Sequence, residues 1–325
     1  MDSEDIYVSI ACITYNHGNF IRDALESFLM QKTNFPFEIL IHDDASTDHT
    51  QEIIKEYEKK YPGIIKPIYQ KENQLAKIKS GIMFIYNFSR AKGKYIAYCE
   101  GDDYWLDPYK LQKQVDFLDS HPSYSACFHA YMPANENGRI LKPYRFLNIS
   151  DASQEDLIFA RKSLFNNTLV FRNYFKTGEL VYPECFRGVY GGDAQLFHLL
   201  GTKGPAKHMD NIAASVYRLH SDGIFTGVKD LRKNAERFVL LASALKTHAS
   251  SFMDQKKLQE FDKMSFLLSR RYLQKMIKKG KIIDLAYIVK KVYKTPNLSS
   301  TIFIKELLKF SYQQVIDKIK KSLTI

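Results

Sequence analysis

The sequence predicts an α/β fold: a mostly parallel sheet flanked by helices, followed by a helical C-terminal region. Three observations carry this. Short apolar runs alternate with helix-period stripes over the first hundred residues. Apolar residues make up 45% of the 325 residues, enough for a large core and about two domains. From about Leu231 onward the apolar spacing is helical almost throughout.

Each element follows in order. Tyr7–Ile13 reads as a buried strand, and Phe20, Ile21, Ala24, Leu25, Phe28 and Leu29 form a helical stripe after it. Phe37–His42 is a second strand. Asp48, with Gln51 three positions on, is placed to cap a helix whose inner face carries Ile53, Ile54 and Tyr57. Ile64–Tyr69 is a third strand, residues 74–92 read as helix, and Lys94–Cys99 is a fourth strand. Asp107-Pro108 marks a helix start, continued by Leu111, Val115 and Leu118. Ser125–Tyr131 and Leu164–Phe171 read as strands, Asp193–Leu200 as a short helix stopped near Gly201 and Gly204, and Ala213–Tyr217 as the last strand.

Composition narrows the function classes. Cys12, Cys99, Cys127 and Cys185 lie far apart with no CxxC pair, which fits neither a zinc cluster nor a disulfide framework. A reducing compartment follows. The acidic N-terminus lacks the pattern of a secretory signal, and no apolar run reaches the length of a membrane span. The net charge of +11 is concentrated in the tail, where residues 256–325 hold 17 Lys+Arg against 5 Asp+Glu. That tail mixes lysines with apolar residues at helical spacing, such as Ile282, Ile283, Leu285 and Val289. It reads equally as a helix pair lying on an anionic membrane surface or as a subdomain with solvated lysines. The expected location is cytoplasmic, at the inner face of the membrane if the tail binds there. It shows little aromatic interleaving, so nucleic acid is not an expected partner.

The chemistry concentrates where the strands end, because parallel sheets bind ligands at their carboxyl edges. The first strand ends in Thr14-Tyr15-Asn16, the second in Asp43-Asp44, and the fourth in Glu100-Gly101-Asp102-Asp103. The two acidic clusters are expected to face one crevice. Neither GxGxxG nor GxxxxGK is present to cradle a phosphate. A divalent cation on carboxylates would serve instead, and Mn²⁺ or Mg²⁺ suits oxygen ligands. Three carboxylates in four residues repel one another unless a cation or hydrogen bonds compensate. Asp48 alone is read as a cap, and the lone histidines His17, His42 and His49 show no metal-ligand spacing. Trp105 is read either as a platform for a sugar or as core.

With these residues in view, TYN after the first strand, DDAS-TD after the second and GKYIAYCEGDDYW around the fourth resemble family 2 glycosyltransferases. The resemblance is strong over 6–118, weaker over 119–225 and does not usefully cover 226–325. It implies a GT-A fold, a nucleotide-sugar donor and an inverting mechanism. It divides the chain into a nucleotide-sugar-binding half (1–118), an acceptor-binding half (119–230) and a basic, mainly helical region (231–325). It places Thr14, Tyr15, Asn16 and Asp43 on the donor nucleoside, with Asp43 at the base, typically uracil. It places Asp102 at the diphosphate, and Glu100, Asp102, Asp103 and His220 around the metal. The first acid of that motif is Glu here rather than Asp. Asp193, at the start of a helix after Gly191-Gly192, matches the general base, and Arg218 matches a phosphate contact. Trp105 is set on the acceptor side. The resemblance implies a glycan or lipid-linked acceptor in the making of a bacterial surface polysaccharide. Two alternatives stay open on the sequence: a sugar-phosphate nucleotidyltransferase, and a non-enzymatic protein binding anionic surfaces.

Overall fold

A computed structural model describes residues 5–141, 150–162, 164–220 and 230–310. The described strands are β1 (Val8–Thr14), β2 (Phe37–Asp43), β3 (Ile65–Tyr69), β4 (Tyr95–Tyr98), β5 (Ala126–His129), β6 (Tyr131–Asn135), β7 (Val170–Arg172), β8 (Ala206–Met209) and β9 (Ser215–Leu219). The helices are α1 (Ile21–Leu29), α2 (Thr50–Lys60), α3 (Gln74–Ile78), α4 (Ile82–Tyr86), α5 (Lys110–Ser120), α6 (Gln154–Ile158), α7 (Gly192–Gly201), α8 (Leu231–Ala249), α9 (Gln255–Lys278) and α10 (Ile282–Lys294). Residues 300–310 are also helical.

Seven strands form one sheet in the order β3-β2-β1-β4-β7-β5-β8, and β6 pairs with β9 in a separate parallel ribbon. β7 runs antiparallel to both of its neighbours, and the other six strands share one direction. The order reverses at β1, which has β2 on one side and β4 on the other. A crevice opens at such a switch point, between the loops that leave the carboxyl ends of the two strands.

The sheet is held by its two faces. Val8, Ile10 and Cys12 alternate on β1, and Ile21, Ala24, Leu25 and Phe28 sit at helical spacing on α1. All seven are fully buried, and each large side chain among them contributes about 1.5–3 kcal/mol. The chain divides into two compact units. One contains the sheet, up to Tyr182 and again from Gly192; the other joins Pro183–Gly191 to the C-terminal helices. The second unit has its own core, in which Val239, Phe266, Leu273, Met276, Ile288 and Val292 are buried.

Several expected elements differ in detail. The helix expected over 74–92 breaks into α3, α4 and a 3₁₀ turn at Phe88–Arg90. The break lies at Lys79 (φ 61°) and Gly81 (φ 80°), where the chain turns left-handed. A Cβ at Gly81 would meet the Tyr182 ring at 2.7 Å, so a side chain is excluded there. The strand expected over Ser125–Tyr131 divides between β5 and β6, which join different sheets. Only the end of Leu164–Phe171 is strand, since Asn166–Thr168 forms a 3₁₀ turn. β8 carries no clear sequence signal, its two interior residues being Lys207 and His208. The N-cap of α2 is His49, one residue after the expected Asp48; Asp48 accepts from the Thr50 amide at the helix start and from the Gly18 amide at 3.0 and 2.9 Å, and Gln51 donates to Asp43.

Candidate active site

The loop after β4 is fixed before any ligand is considered. The Gly101 amide donates to the Ile13 carbonyl at 2.9 Å, which continues the β1–β4 pairing beyond the strand ends. A Cβ on Gly101 would lie 2.9 Å from Thr14 and Ile21 side-chain atoms, so glycine lets the acidic loop press against β1. On its other side the loop is tied to β9. Tyr104 and Val216 exchange backbone hydrogen bonds, and the Arg218 amide donates to Asp103 Oδ1 at 2.9 Å. β9 then delivers His220, whose Nε2 lies 3.0 Å from Asp102 Oδ2. His17, from the loop after β1, places its Nε2 3.9 Å from the same oxygen. Ligand atoms of His17, Asp102 and His220 lie within 4.8 Å of one another, and so do those of Glu100, Asp102 and Asp103.

The electrostatics follow from this crowding. Burial pushes Glu100 up to about 8, and Asp102 and Asp193 add to the push against weak hydrogen bonds from Asn166 and Tyr98. Burial raises Asp103 well above the usual carboxylate range, with Asp102 and Glu100 acting in the same direction. Burial also opposes charge on Asp102, but the neighbouring His17 and His220 outweigh it and hold the carboxyl below its usual value. Asp102 Oδ1 is buried with no hydrogen-bond partner among the described residues. Crowded carboxylates with an orphaned oxygen and two adjacent imidazoles fit a bound cation, which would offset the repulsion.

The other sequence-expected residues divide. Thr14 ends β1 beside Asp43, which ends β2 in register with it. Asp43 is fully buried; Oδ2 accepts from the Ser46 amide at 3.1 Å and from Gln51, while Oδ1 has no partner among the described residues. Thr14 Oγ1 is likewise buried and unpartnered among them. Tyr15 is exposed beside these two. Asn16 adopts φ 55°, its amide donating to Ser46 Oγ and its side chain accepting from the Thr47 amide, so it fastens the β1 loop to the β2 loop. Asp193 opens α7, and burial raises its pKa.

Three expectations are corrected. Trp105 does not face an acceptor: it is 1% exposed, its Nε1 donates to the Asn167 carbonyl at 2.7 Å, and its ring packs 4.8 Å from Phe28. With Tyr104 engaged on β9, the next side chain turns to the core. Asp44 does not join the acidic crevice, because it accepts from the Gln74 and Leu75 amides at 2.6 and 3.0 Å at the start of α3. Arg218 is not presented to a phosphate. Its side chain is 4% exposed, paired with Asp23, donating to the Asp102 carbonyl at 3.2 Å, and lying over the Phe20 and Tyr104 rings. It holds the acidic loop from beneath. Sequence reasoning missed Asp23 and His17, since neither has a recognisable spacing to its partner.

Comparison with known proteins accords with this geometry. Residues 9–185 match the model of Glycosyl transferase family 2, which is more than half of the chain. An uncharacterized protein of Mycobacterium tuberculosis is 37% identical over 227 residues, 70% of this chain and 63% of that relative. This chain thus spans less than two thirds of the mycobacterial relative's length. The putative teichuronic acid biosynthesis glycosyltransferase TuaG of Bacillus subtilis is 35% identical over 111 residues, 34% of this chain and 41% of that protein. Among solved structures, S. aureus TarS 1–349 in complex with UDP-GlcNAc aligns over 95% of this chain and 92% of its own, with TM-score 0.54 and 18% identity. The mannosyltransferase PcManGT from Pyrobaculum calidifontis, in complex with GDP-Man and Mn²⁺, aligns over 94% of this chain and 87% of its own, with TM-score 0.56 and 15% identity. At these identities the likeness is one of fold.

Proposed function

We propose, from the premise that this chain belongs to glycosyl transferase family 2, that it moves a sugar from a nucleoside diphosphate sugar to a hydroxyl of a glycan or lipid-linked acceptor, with inversion. The observation that carries this reading is the Asp102 carboxylate, held between two loops at the sheet's switch point with one oxygen orphaned and His220 at the other. The GT-A sheet supplies the rest of the donor site. Asp43 Oδ1 is a buried acceptor that suits the imide N–H of uracil, and Thr14, Tyr15 and Asn16 line the same edge. A divalent ion on Asp102 and His220, with Glu100 and Asp103 beside it, would supply Lewis-acid stabilisation of the leaving diphosphate. The residues fit Mn²⁺ or Mg²⁺ by charge.

The chain's own groups do the remaining work. Asp193 takes the proton of the acceptor hydroxyl as that oxygen attacks the anomeric carbon. Its raised pKa makes it a better base than an exposed aspartate. One displacement inverts the sugar, so an enzyme nucleophile is not needed. Asp23 and Arg218 keep the acidic loop in place throughout. The relative named for teichuronic acid synthesis supports a bacterial surface polysaccharide as product.

The second unit supports a membrane-side location. Among the described residues, no helix is long and apolar enough to cross a membrane. Yet Ile282, Ile283, Tyr293 and Leu308 are largely exposed, and Ile283 reaches 84%. Ile282 and Tyr293 line a groove of about 480 Å³ together with Leu285, Val289, Ile304 and Leu307. Lysines 278, 279, 281, 290, 294, 305 and 309 lie around these residues in the sequence. Apolar side chains with a basic surround match an anionic lipid surface.

A thermal-shift screen of nucleotide sugars, each with and without Mn²⁺, tests the donor reading. One nucleotide class is expected to raise the melting temperature only when metal is present. A flat response across all nucleotides would refute it.

A further inference from the structure

We propose that His17 is a protein ligand of the divalent cation, completing with Asp102 and His220 a set of two imidazoles and one carboxylate. The proposal rests on the metal reading above and extends it to a residue with no sequence spacing to recommend it. His17 and His220 approach the same Asp102 oxygen from two different loops, at 3.9 and 3.0 Å, with their rings perpendicular and 5.8 Å apart. Two donors each about 2.1 Å from one ion lie no more than about 4.2 Å apart, so both histidine–carboxylate distances already fall within reach of a shared ion.

The fold does not require an imidazole at this position. His17 serves the entry of α1 through its backbone carbonyl, which accepts from the Phe20 and Ile21 amides at 2.8 Å, and any residue offers that. Its Nδ1 is buried without a hydrogen-bond partner among the described residues, as is Asp102 Oδ1. The acidic alternative is more committed. Asp103 is 1% exposed with one oxygen taken by the Arg218 amide, and Glu100 Oε1 receives Tyr98 and Asn166. We therefore place the ion on the histidine side of Asp102.

The donor set has a consequence for metal choice. Imidazole nitrogen binds first-row transition-metal ions, Mn²⁺ least and Co²⁺ or Zn²⁺ more strongly, whereas Mg²⁺ keeps to oxygen and retained water. The site is accordingly selective for a transition-metal ion over Mg²⁺. It also links the metal to the nucleoside edge, since His17 follows Tyr15-Asn16 directly.

The test is a Mn²⁺ titration of the full chain followed by electron paramagnetic resonance, with and without UDP, together with pulsed measurement of ¹⁴N couplings. Wild-type protein is expected to bind Mn²⁺ with two imidazole couplings and to prefer it to Mg²⁺. His17→Ala is expected to lose one coupling and weaken Mn²⁺ by about tenfold or more. His49→Ala, an exposed histidine nearby, should change neither. Unchanged affinity and couplings in His17→Ala overturn the proposal and leave the metal reading standing. A single imidazole coupling in the wild type does the same without any variant. Absence of Mn²⁺ binding by the wild type in both conditions overturns the proposal and the metal reading together.

Discussion

Asp193 carries the chemical step in this account, and its setting decides what a substitution does. It opens α7 in a half-buried position where burial raises its pKa, and it lies within electrostatic reach of Glu100. Asp193→Asn keeps the shape and removes the base. Transfer should fall by about 10²–10⁴-fold while nucleotide-sugar affinity stays near wild type, as measured by product formation alongside calorimetry. Near-normal turnover would remove the assignment. At this scale the sequence was legible where chemistry and chain position coincide. Asp43 ends β2, Asp102 lies in the loop after β4 and Asp193 opens α7, positions that a parallel sheet turns toward its carboxyl edge. It was not legible where the decisive fact is which way a side chain turns. Trp105 and Asp44 are neighbours in sequence of functional candidates, yet one faces core and the other caps α3. Arg218 reads as a phosphate ligand in the sequence, but Asp23, 195 residues away, pairs with it.

At the scale of elements, α5 carries an unusual burden. Lys110 is fully buried in its first turn, with Nζ donating to Gln114 Oε1 at 2.6 Å and lying 4.2 Å from the Trp105 ring centre. Burial lowers its pKa from 10.5 to about 7, against smaller opposing effects of Cys99, Cys127 and Asp107. The sign follows from proton counting. Between about 7 and 10.5 the unfolded chain binds a proton that the folded chain does not, so stability rises with pH across that interval. Below about 7 both states are protonated and the cost is fully present. Urea unfolding at several pH values should show this slope in the wild type and its loss in Lys110→Met. An unchanged slope in the variant would show that Lys110 is not the cause. Most elements were readable from periodicity, α1 and β1–β4 above all, because their burial is one-sided or complete. β7 was readable only at the end of the longer strand expected there and β8 not at all, since three- and four-residue strands gain their identity from neighbours rather than from their own pattern.

For the whole molecule, the proposed function gives the GT-A sheet and the basic helical unit two jobs, donor chemistry at the sheet edge and attachment through the C-terminal helices. The charge asymmetry was plain in the sequence, whereas the exposed apolar side chains of α10 needed the structure to separate them from Ile288 and Val292, which are buried. The chain should sediment with anionic but not neutral liposomes, and added salt should weaken the association. Equal binding to both lipid types, or none, would leave the lysines as a solvated face. The central claim is that a cation held at Asp102 lets this sheet edge bind a nucleoside diphosphate without a glycine-rich loop. Calorimetric titration of the nucleotide selected by the screen, into wild type and Asp102→Ala with Mn²⁺ and after chelation, tests it most directly. The account predicts binding only to metal-loaded wild type; equal affinity in all three remaining conditions would contradict it.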